Sequence, residues 1–116
     1  MKKLLSFTIM FILFISISLA QNVEPEFEKQ DNLTKATYYF DNGDIKETGF
    51  FKNEKLQGKW ITYNQEGKIT AIANYENGKK EGKWYVISND TIKELIYKSN
   101  KLIEVKNKKG TELSLI

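Results

Sequence analysis

The sequence contains no cysteine, no histidine and no arginine, and it has a single proline among its 116 residues. Without cysteine the chain cannot form disulfides, which small exported domains often use to supplement a small core. Without cysteine and histidine it cannot build the usual zinc sites, a Ser-His-Asp triad or a Cys-His pair. Stability therefore has to come from strand pairing and from the burial of aromatic side chains.

The N-terminal twenty residues have the three parts of an export signal. Two lysines supply the positive start, residues 4–17 are mostly apolar, and Ser18 and Ala20 are the small residues that signal peptidase requires. The alternative is an uncleaved N-terminal anchor, but the apolar run is short for a membrane span, which needs about 20 residues. We therefore expect residues 1–20 to be a cleaved signal peptide and the mature protein to be periplasmic or secreted.

The net charge gives no indication of nucleic-acid binding. The formal charge is +3, but without the two lysines of the export segment 16 lysines face 15 acidic side chains. Arginine, which is best suited to bidentate contacts with phosphate and guanine, does not occur. We expect no nucleic-acid partner.

Residues 21–35 form a polar lead-in that contains Pro25 and three glutamates within five residues. The pattern is compatible with a short helix that begins at Pro25 and packs Phe27 against the following domain. It is equally compatible with a mobile arm. We place the folded domain at residues 36–116.

From Ala36 onward the chain repeats itself with a period of 24 residues. The identical pairs at this offset are Tyr39 with Tyr63, Gly43 with Gly67, Ile45 with Ile69, Asn53 with Asn77, Lys55 with Lys79, Gly58 with Gly82, Lys59 with Lys83, and Trp60 with Trp84. A period of this length indicates a stacked array of one supersecondary unit.

Each repeat has the pattern of a β-hairpin. Short runs rich in aromatic and β-branched residues alternate with turns that contain asparagine and glycine, and no helical period follows Ala36. The sequence therefore predicts an all-β fold, a meandering antiparallel sheet of about seven or eight strands built from stacked hairpins. The third unit is degenerate, because Tyr97 follows Tyr75 by 22 residues and the glycines are lost. End units that cap an array often differ in this way.

The recurring aromatic residues have two interpretations. Trp60, Tyr63, Trp84 and Tyr85 either form an exposed platform that stacks sugar rings or lipid headgroups, or they form the core of the sheet. The core is the favoured interpretation, because the aromatic residues recur with the repeat itself. In stacked hairpins we expect Trp60 to lie near Trp84.

Glycines and lysines recur beside the two tryptophans. Gly58 and Gly82 each stand two positions before a tryptophan, where a missing side chain is expected to leave room for a neighbouring ring. The nearby lysines are expected to form a basic edge, which either contributes to a binding surface or protects the sheet from aggregation. These lysines are Lys55, Lys59, Lys79, Lys80 and Lys83.

Two strings, residues 49–63 and residues 74–85, resemble the MORN-repeat variant family, whose unit is aromatic-x-Asn-Gly-Lys-x-x-Gly-x-Trp/Tyr. The resemblance covers residues 38–106 and extends to antitoxin-like repeat proteins of the YwqK type. It implies a meandering antiparallel sheet, MORN-like in its units, that contacts partners or membranes. The chain departs from the family where Glu54 replaces the turn glycine and where no Gly-x-Trp follows Asn100.

No motif in the sequence supports catalysis. There is no phosphate-binding or dinucleotide-binding glycine pattern, and the eleven acidic residues after Thr34 are scattered, with no pair marked out by spacing. We expect a non-enzymatic exported module without a cofactor, which binds a protein or a cell-envelope component. Peripheral contact with a membrane is a further option. The alternative, which the resemblance suggests, is an antitoxin or immunity-type inhibitor of a toxin partner.

The export signal leads to the first prediction. Signal peptidase should cleave after Ala20, so intact-mass spectrometry of the exported protein should give a chain that begins at Gln21, either free or cyclised to pyroglutamate. A chain that retains Met1 in the membrane fraction would contradict this prediction.

Overall fold

The structure, a computed structural model, describes residues 23–109 and is all-β, as the sequence predicts. Nine antiparallel strands form one open meandering sheet. The strands are β1 (Glu26–Gln30), β2 (Leu33–Tyr39), β3 (Ile45–Lys52), β4 (Lys55–Tyr63), β5 (Ile69–Glu76), β6 (Lys79–Lys80), β7 (Gly82–Ser88), β8 (Thr91–Lys98) and β9 (Lys101–Lys109). The described residues include no helix, and so none that is long and apolar enough to cross a membrane.

The sheet is eight strands wide, because β6 and β7 occupy one position in it. Both pair with β5, and only Glu81 separates them in the chain. The order is β1-β2-β3-β4-β5-β7-β8-β9, so each strand lies beside its neighbours in sequence. This width agrees with the seven or eight strands predicted, and it leaves β1 and β9 as the two edges.

The sheet begins earlier than the sequence suggested. Both interpretations of residues 21–35, a short helix and a mobile arm, are wrong for the described part, because Glu26–Gln30 is a strand paired residue for residue with β2. A turn at Asp31, with φ 56°, connects the two strands. Pro25 fits directly before β1, since a proline at the start of an edge strand removes no ladder hydrogen bond. The predicted signal peptide lies outside the described residues.

Three two-residue turns at one end of the sheet have positive φ at both of their residues. Asn53–Glu54, Asn77–Gly78 and Ser99–Asn100 all have positive φ at both positions, between 46° and 82°. This is the geometry of a type I′ turn, which matches the twist of a hairpin. The degenerate third unit therefore keeps its turn without glycine, because asparagine tolerates the left-handed region. Glu54 adopts the same conformation where the family has glycine.

Longer turns lie at the opposite end of the sheet and repeat with the predicted period. Gly43 donates a backbone hydrogen bond to Phe40 (2.9 Å), and Gly67 donates the equivalent bond to Asn64 (3.0 Å). Both glycines have positive φ, 93° and 82°. The offset of 24 residues in sequence thus appears as repeated backbone geometry.

Side chains at the start of one hairpin strand bind the turn of the next unit. The Gln57 side chain accepts a hydrogen bond from the backbone N–H of Asn77 (2.9 Å). Glu81, at the equivalent position of the second unit, accepts one from the N–H of Ser99 (2.8 Å). The conservative pair of Gln57 and Glu81 therefore performs the same function, and it connects each unit to its successor.

The two faces of the sheet differ in composition. Directly paired residues of neighbouring strands point to the same face. On the first face, which we call the isoleucine face, one row crosses all eight positions: Glu26, Thr37, Thr48, Ile61, Ile72, Tyr85, Glu94 and Lys106. The other, the tryptophan face, carries Phe27, Ala36, Trp60, Ala73, Trp84, Leu95 and Val105.

Both faces contain buried residues, although the sheet is a single layer. On the isoleucine face Ile72 and Ile92 are each 1% exposed, and on the tryptophan face Ala36 is 0% and Trp60 5% exposed. Small residues surround Trp60, since it is paired with Ala73, and Gly49 is paired with Ala36. On the tryptophan face the core is therefore made of a large side chain that lies over small ones.

Gly49 makes room for the Trp60 ring. The sequence pattern predicts this role for Gly58 and Gly82. A Cβ atom at Gly49 would overlap the six-membered ring of Trp60. At Gly58 and Gly82 a Cβ atom would meet nothing within 4 Å, and these residues instead have positive φ, 71° and 80°. The assignment to Gly58 and Gly82 is wrong, because their absent side chains serve the backbone conformation and not a neighbouring ring.

This difference leads to a prediction for two alanine substitutions. Gly49→Ala should destabilise the protein by about 3 kcal/mol, at the upper end for overpacking, because the indole has to leave its position. Gly58→Ala should cost only the left-handed strain, about 1–2 kcal/mol. Urea unfolding of both variants measures the difference. If Gly58→Ala cost as much as Gly49→Ala, the position of the Trp60 ring would not depend on Gly49.

Candidate interaction surface

The two tryptophans are held by equivalent hydrogen bonds. The Nε1–H of Trp60 donates to the carbonyl of Phe50 (3.0 Å), and that of Trp84 donates to the carbonyl of Asn74 (2.8 Å). In both cases the acceptor lies ten residues earlier, on the preceding strand of the sheet. The polar atom of each indole is therefore satisfied, and each ring is fixed across its own hairpin.

The first aromatic cluster is closed. The Trp60 ring meets Phe51 edge-on, with centroids 5.1 Å apart, and lies 6.4 Å from Tyr38. Phe27 of the edge strand meets Tyr38 at 6.1 Å. With Trp60 only 5% exposed, the interpretation of this residue as core is confirmed.

The second aromatic cluster is only partly buried, and Trp84 is not among the buried core residues, where the sequence pattern predicts both tryptophans. Trp84 is half-buried, and its ring centroid lies 5.0 Å from that of Tyr75 and 5.1 Å from that of Tyr97. The Lys80 Nζ stands 5.1 Å from the Trp84 centroid and 5.1 Å from the Tyr97 centroid. Such distances allow a cation–π interaction with both rings. We call Tyr75, Lys80, Trp84 and Tyr97 the Trp84 cluster.

The two indoles belong to separate clusters. Trp60 and Trp84 lie on strands either side of β5, and among residues 23–109 no ring contact joins them. The sequence pattern predicts that Trp60 lies near Trp84, but the two residues are two strand positions apart, with β5 between them. The residue of β5 that is paired with Trp60 is Ala73, so no third aromatic ring fills the space between the two indoles.

The four aromatic residues singled out from the sequence do not share one surface. Tyr85 follows Trp84 directly in β7, so it points to the isoleucine face, where it pairs with Ile72 and Glu94. Tyr63 lies at the far end of β4 and lines a shallow cleft beside the longer turns. A single platform made of Trp60, Tyr63, Trp84 and Tyr85 is wrong, because side chains alternate along a strand.

The lysines do not form a basic edge. β4, β6 and β7 are interior strands, so Lys79, Lys80 and Lys83 lie within the sheet and not along its border. Lys79 is exposed beside a turn, and Lys80 lies over the Trp84 cluster. Lys83 points to the other face, where its Nζ is 3.7 Å from Glu94. The sequence could not show this, because adjacent lysines alternate between faces.

A buried carboxylate on the isoleucine face was not identified from the sequence. Glu94 is 2% exposed, with Lys108 Nζ 3.1 Å from one oxygen and Lys83 Nζ 3.7 Å from the other. The Tyr85 hydroxyl donates to the second oxygen at 3.4 Å. The hydrogen bond from Lys108 holds the pKa of Glu94 below its ordinary value, although burial acts in the opposite direction.

The same arrangement raises the pKa of Tyr85, first through burial and then through the negative charge of Glu94. A signal for this group exists in the sequence, since Glu94 stands between Ile92 and Ile96 in an otherwise apolar alternation. A buried charge has to be paired. The lysines of β7 and β9 provide this pairing, so the group connects three strands.

Within residues 23–109 no three acidic side chains are grouped closely enough to hold a metal ion. A shallow cleft of about 370 Å³ lies at the end of the sheet with the longer turns, remote from the Trp84 cluster. Its walls are Tyr39, Phe40, Asp41, Asn42, Lys46 and Gln65.

Comparisons with known proteins leave the family unassigned. No protein-family model matches the chain, and neither curated proteins nor solved structures give a significant match. The resemblance to MORN repeats therefore stays a prediction that rests on the quoted motifs.

The position of Glu94 predicts how stability depends on pH. Because its pKa is lower in the folded protein than the ordinary 4.5, its charge stabilises the fold above that value. This contribution is lost as the pH falls through the lower, folded pKa. Glu94→Gln should therefore destabilise the protein at neutral pH and make its stability less sensitive to acid below about pH 4.5.

Urea midpoints measured between neutral and acidic pH test this prediction. Glu104→Gln is the matched control, because Glu104 also pairs with a lysine but is 49% exposed, and it should change little. If the wild type and Glu94→Gln lost stability in parallel on acidification, the buried ion pair would not be the cause.

Proposed function

We propose that this protein is an exported, non-catalytic repeat module that binds a protein or another component of the cell envelope. The observation that carries the proposal is the Trp84 cluster. Its indole is fixed by the same kind of hydrogen bond as Trp60, yet it is half-buried where Trp60 is covered. A ring that is held rigidly and left accessible is a suitable contact for a partner.

The cluster is organised before any partner arrives. Trp84 lies between Tyr75 and Tyr97 and is hydrogen-bonded, so binding would freeze little additional side-chain motion. Tryptophan and tyrosine are also enriched among the residues that contribute most to binding energy. Both features favour recognition by a rigid aromatic surface.

Lys80 determines the chemistry of the partner. Its ammonium stands above two rings, so the exposed surface combines aromatic faces with one positive charge. Such a surface complements an acidic group that lies next to an apolar or ring-shaped group. Acidic protein segments and acidic envelope components both present this combination.

The sequence supports the remaining parts of the proposal. Residues 1–20 have the pattern of an export signal, which directs the protein to the periplasm or the exterior. The lack of histidine and cysteine supports a role without catalysis, and the lack of arginine supports a partner other than nucleic acid.

Three substitutions test the proposal in a binding experiment. Exported protein is immobilised, incubated with envelope extract, and the bound components are quantified by mass spectrometry. Lys80→Ala and Trp84→Ala should lose the specific component, whereas Lys79→Ala, which removes the same charge from the neighbouring residue, should retain it. Trp84→Ala should lose some stability with its indole hydrogen bond, but less than Trp60→Ala, because its site is only partly buried, so the variant is assayed in its folded state.

Trp60→Ala is the structural comparison. It should destabilise the protein by about 3–5 kcal/mol, the usual cost of emptying a large buried aromatic site. If a folded Trp84→Ala variant bound the same components as the wild type, the Trp84 cluster would not be the binding surface.

A further inference from the structure

Both edges of the sheet are open within the described residues. β1 and β9 each pair with one strand only, and every residue in both is exposed. β9 is nine residues long and carries Leu102, Ile103 and Val105, which are 46%, 56% and 49% exposed. A long edge strand with exposed apolar side chains is a template for pairing with another strand.

The two edges carry opposite charges. Residues 24–31, which contain β1, include four acidic side chains and one lysine, whereas β9 includes four lysines and one glutamate. Two β9 edges would carry net positive charge on both sides of the contact, and two β1 edges would carry net negative charge on both sides. Like charges opposite one another destabilise a ladder. Charge therefore favours contact between unlike edges.

The topology makes the unlike edges compatible in direction. Because the sheet is eight strands wide and every neighbour is antiparallel, β1 and β9 run in opposite directions. A second copy placed beside β9 in the same orientation therefore presents its β1 as an antiparallel strand. The contact would continue the meander across the junction.

The register of the rows makes the unlike edges compatible in their side chains as well. Glu26 and Lys106 are the two ends of the row on the isoleucine face. Phe27 and Val105 are neighbours of these residues and lie at the two borders of the tryptophan face, 58% and 49% exposed. If these rows continued from one copy into the next, Lys106 would be paired with Glu26, and Val105 would be paired with Phe27.

We propose that β9 of one copy pairs antiparallel with β1 of a second copy of this chain, with Val105 opposite Phe27 and Lys106 opposite Glu26. The same register sets Lys108 opposite Glu24. It leaves one like-charge pair, Glu104 opposite Glu28, and Lys106 already lies 3.5 Å from Glu104, where it offsets that repulsion.

The proposed contact is heterologous, since each copy uses a different edge on each side. A contact of this kind does not close on itself unless the rotation between copies forms a ring. The protein should therefore assemble progressively with concentration and not stop at a dimer. Each added copy would also align its Trp84 cluster on the same face as the preceding one.

Disulfide trapping tests the register, and the chain has no cysteine to interfere. Directly opposed residues in antiparallel strands have Cα atoms about 4.5–5.5 Å apart, within the range of a disulfide. Exported Phe27→Cys and Val105→Cys proteins, mixed and oxidised gently, should give a crosslinked heterodimer. Phe27→Cys mixed with Lys106→Cys should give several-fold less, because residue 106 points to the opposite face.

The single variants alone separate the alternatives. A disulfide dimer of Val105→Cys with itself at equal yield would show pairing between two β9 edges, and one of Phe27→Cys would show pairing between two β1 edges. Either result would overturn the proposal. So would a heterodimer yield no higher than that of the mismatched control pair.

Sedimentation analysis tests the role of charge without any crosslink. The average mass of the exported wild-type protein should rise beyond that of a dimer with concentration. It should fall back towards the monomer in about 1 M salt, where the Debye length is about 3 Å. A wild-type protein that stays monomeric at all concentrations would overturn the proposal.

Charge reversal then identifies the edge. Glu26→Lys with Asp31→Lys, which face Lys106 and Lys101 in this register, should abolish the assembly, and Lys101→Glu with Lys106→Glu in a second protein should restore it when the two are mixed. Glu54→Lys with Asp90→Lys, which makes the same charge change in two turns, should leave it intact. Assembly that survives the β1 reversal would overturn the proposal, whereas Trp84→Ala should not affect it.

Discussion

The hydrogen bond from each indole nitrogen to the carbonyl ten residues earlier is the interaction on which the rest of this sheet depends. An indole N–H buried without a partner costs roughly 1–3 kcal/mol, and in a single layer few groups are available to satisfy it. The bond directs Trp60 and Trp84 across their own hairpins, towards the preceding strand. The small residues at 49 and 73 follow from that placement, since a large side chain at position 49 would overlap the ring.

The two units share the same indole hydrogen bond but differ in the side chains that surround each indole. Trp60 packs against Phe51 and Tyr38 and is covered, whereas Trp84 packs against two tyrosines and a lysine and stays half-buried. The same local geometry therefore gives stability in one unit and an accessible surface in the next. Under the proposed function, stability and binding are divided between copies of one motif, which spares either copy from a compromise between the two.

The fold could be predicted from the sequence because its signals are local. Period, turn residues and strand length specify a meander, and the type I′ turns at Asn53 and Asn77 follow directly from those residues. The helix or arm expected for residues 21–35 is wrong for the described part, because β1 has a charged, exposed pattern and depends on pairing with β2 for its conformation. The platform of four aromatic residues failed for a different reason. Trp84 and Tyr85 are adjacent in β7, so their side chains point to opposite faces of the sheet. A bulge at Tyr63 shifts the register of β4, so the face to which Tyr63 points cannot be predicted from its spacing in the sequence. The apolar alternation around Glu94 indicates its burial, but the lysines that pair with it come from two neighbouring strands, which no single segment reveals.

The strict meander also governs how the chain reaches this structure. Since every strand contacts its neighbours in sequence, each pairing closes a loop of a few residues and costs little chain entropy. Low contact order of this kind is associated with rapid folding, whereas most β proteins fold slowly because their pairings are distant in sequence. Folding can begin at any hairpin and extend in both directions, as in other linear arrays. We expect the hairpin of β3 and β4, which contains the covered tryptophan, to form first, and the terminal strands, each paired on one side only, to form last and open first.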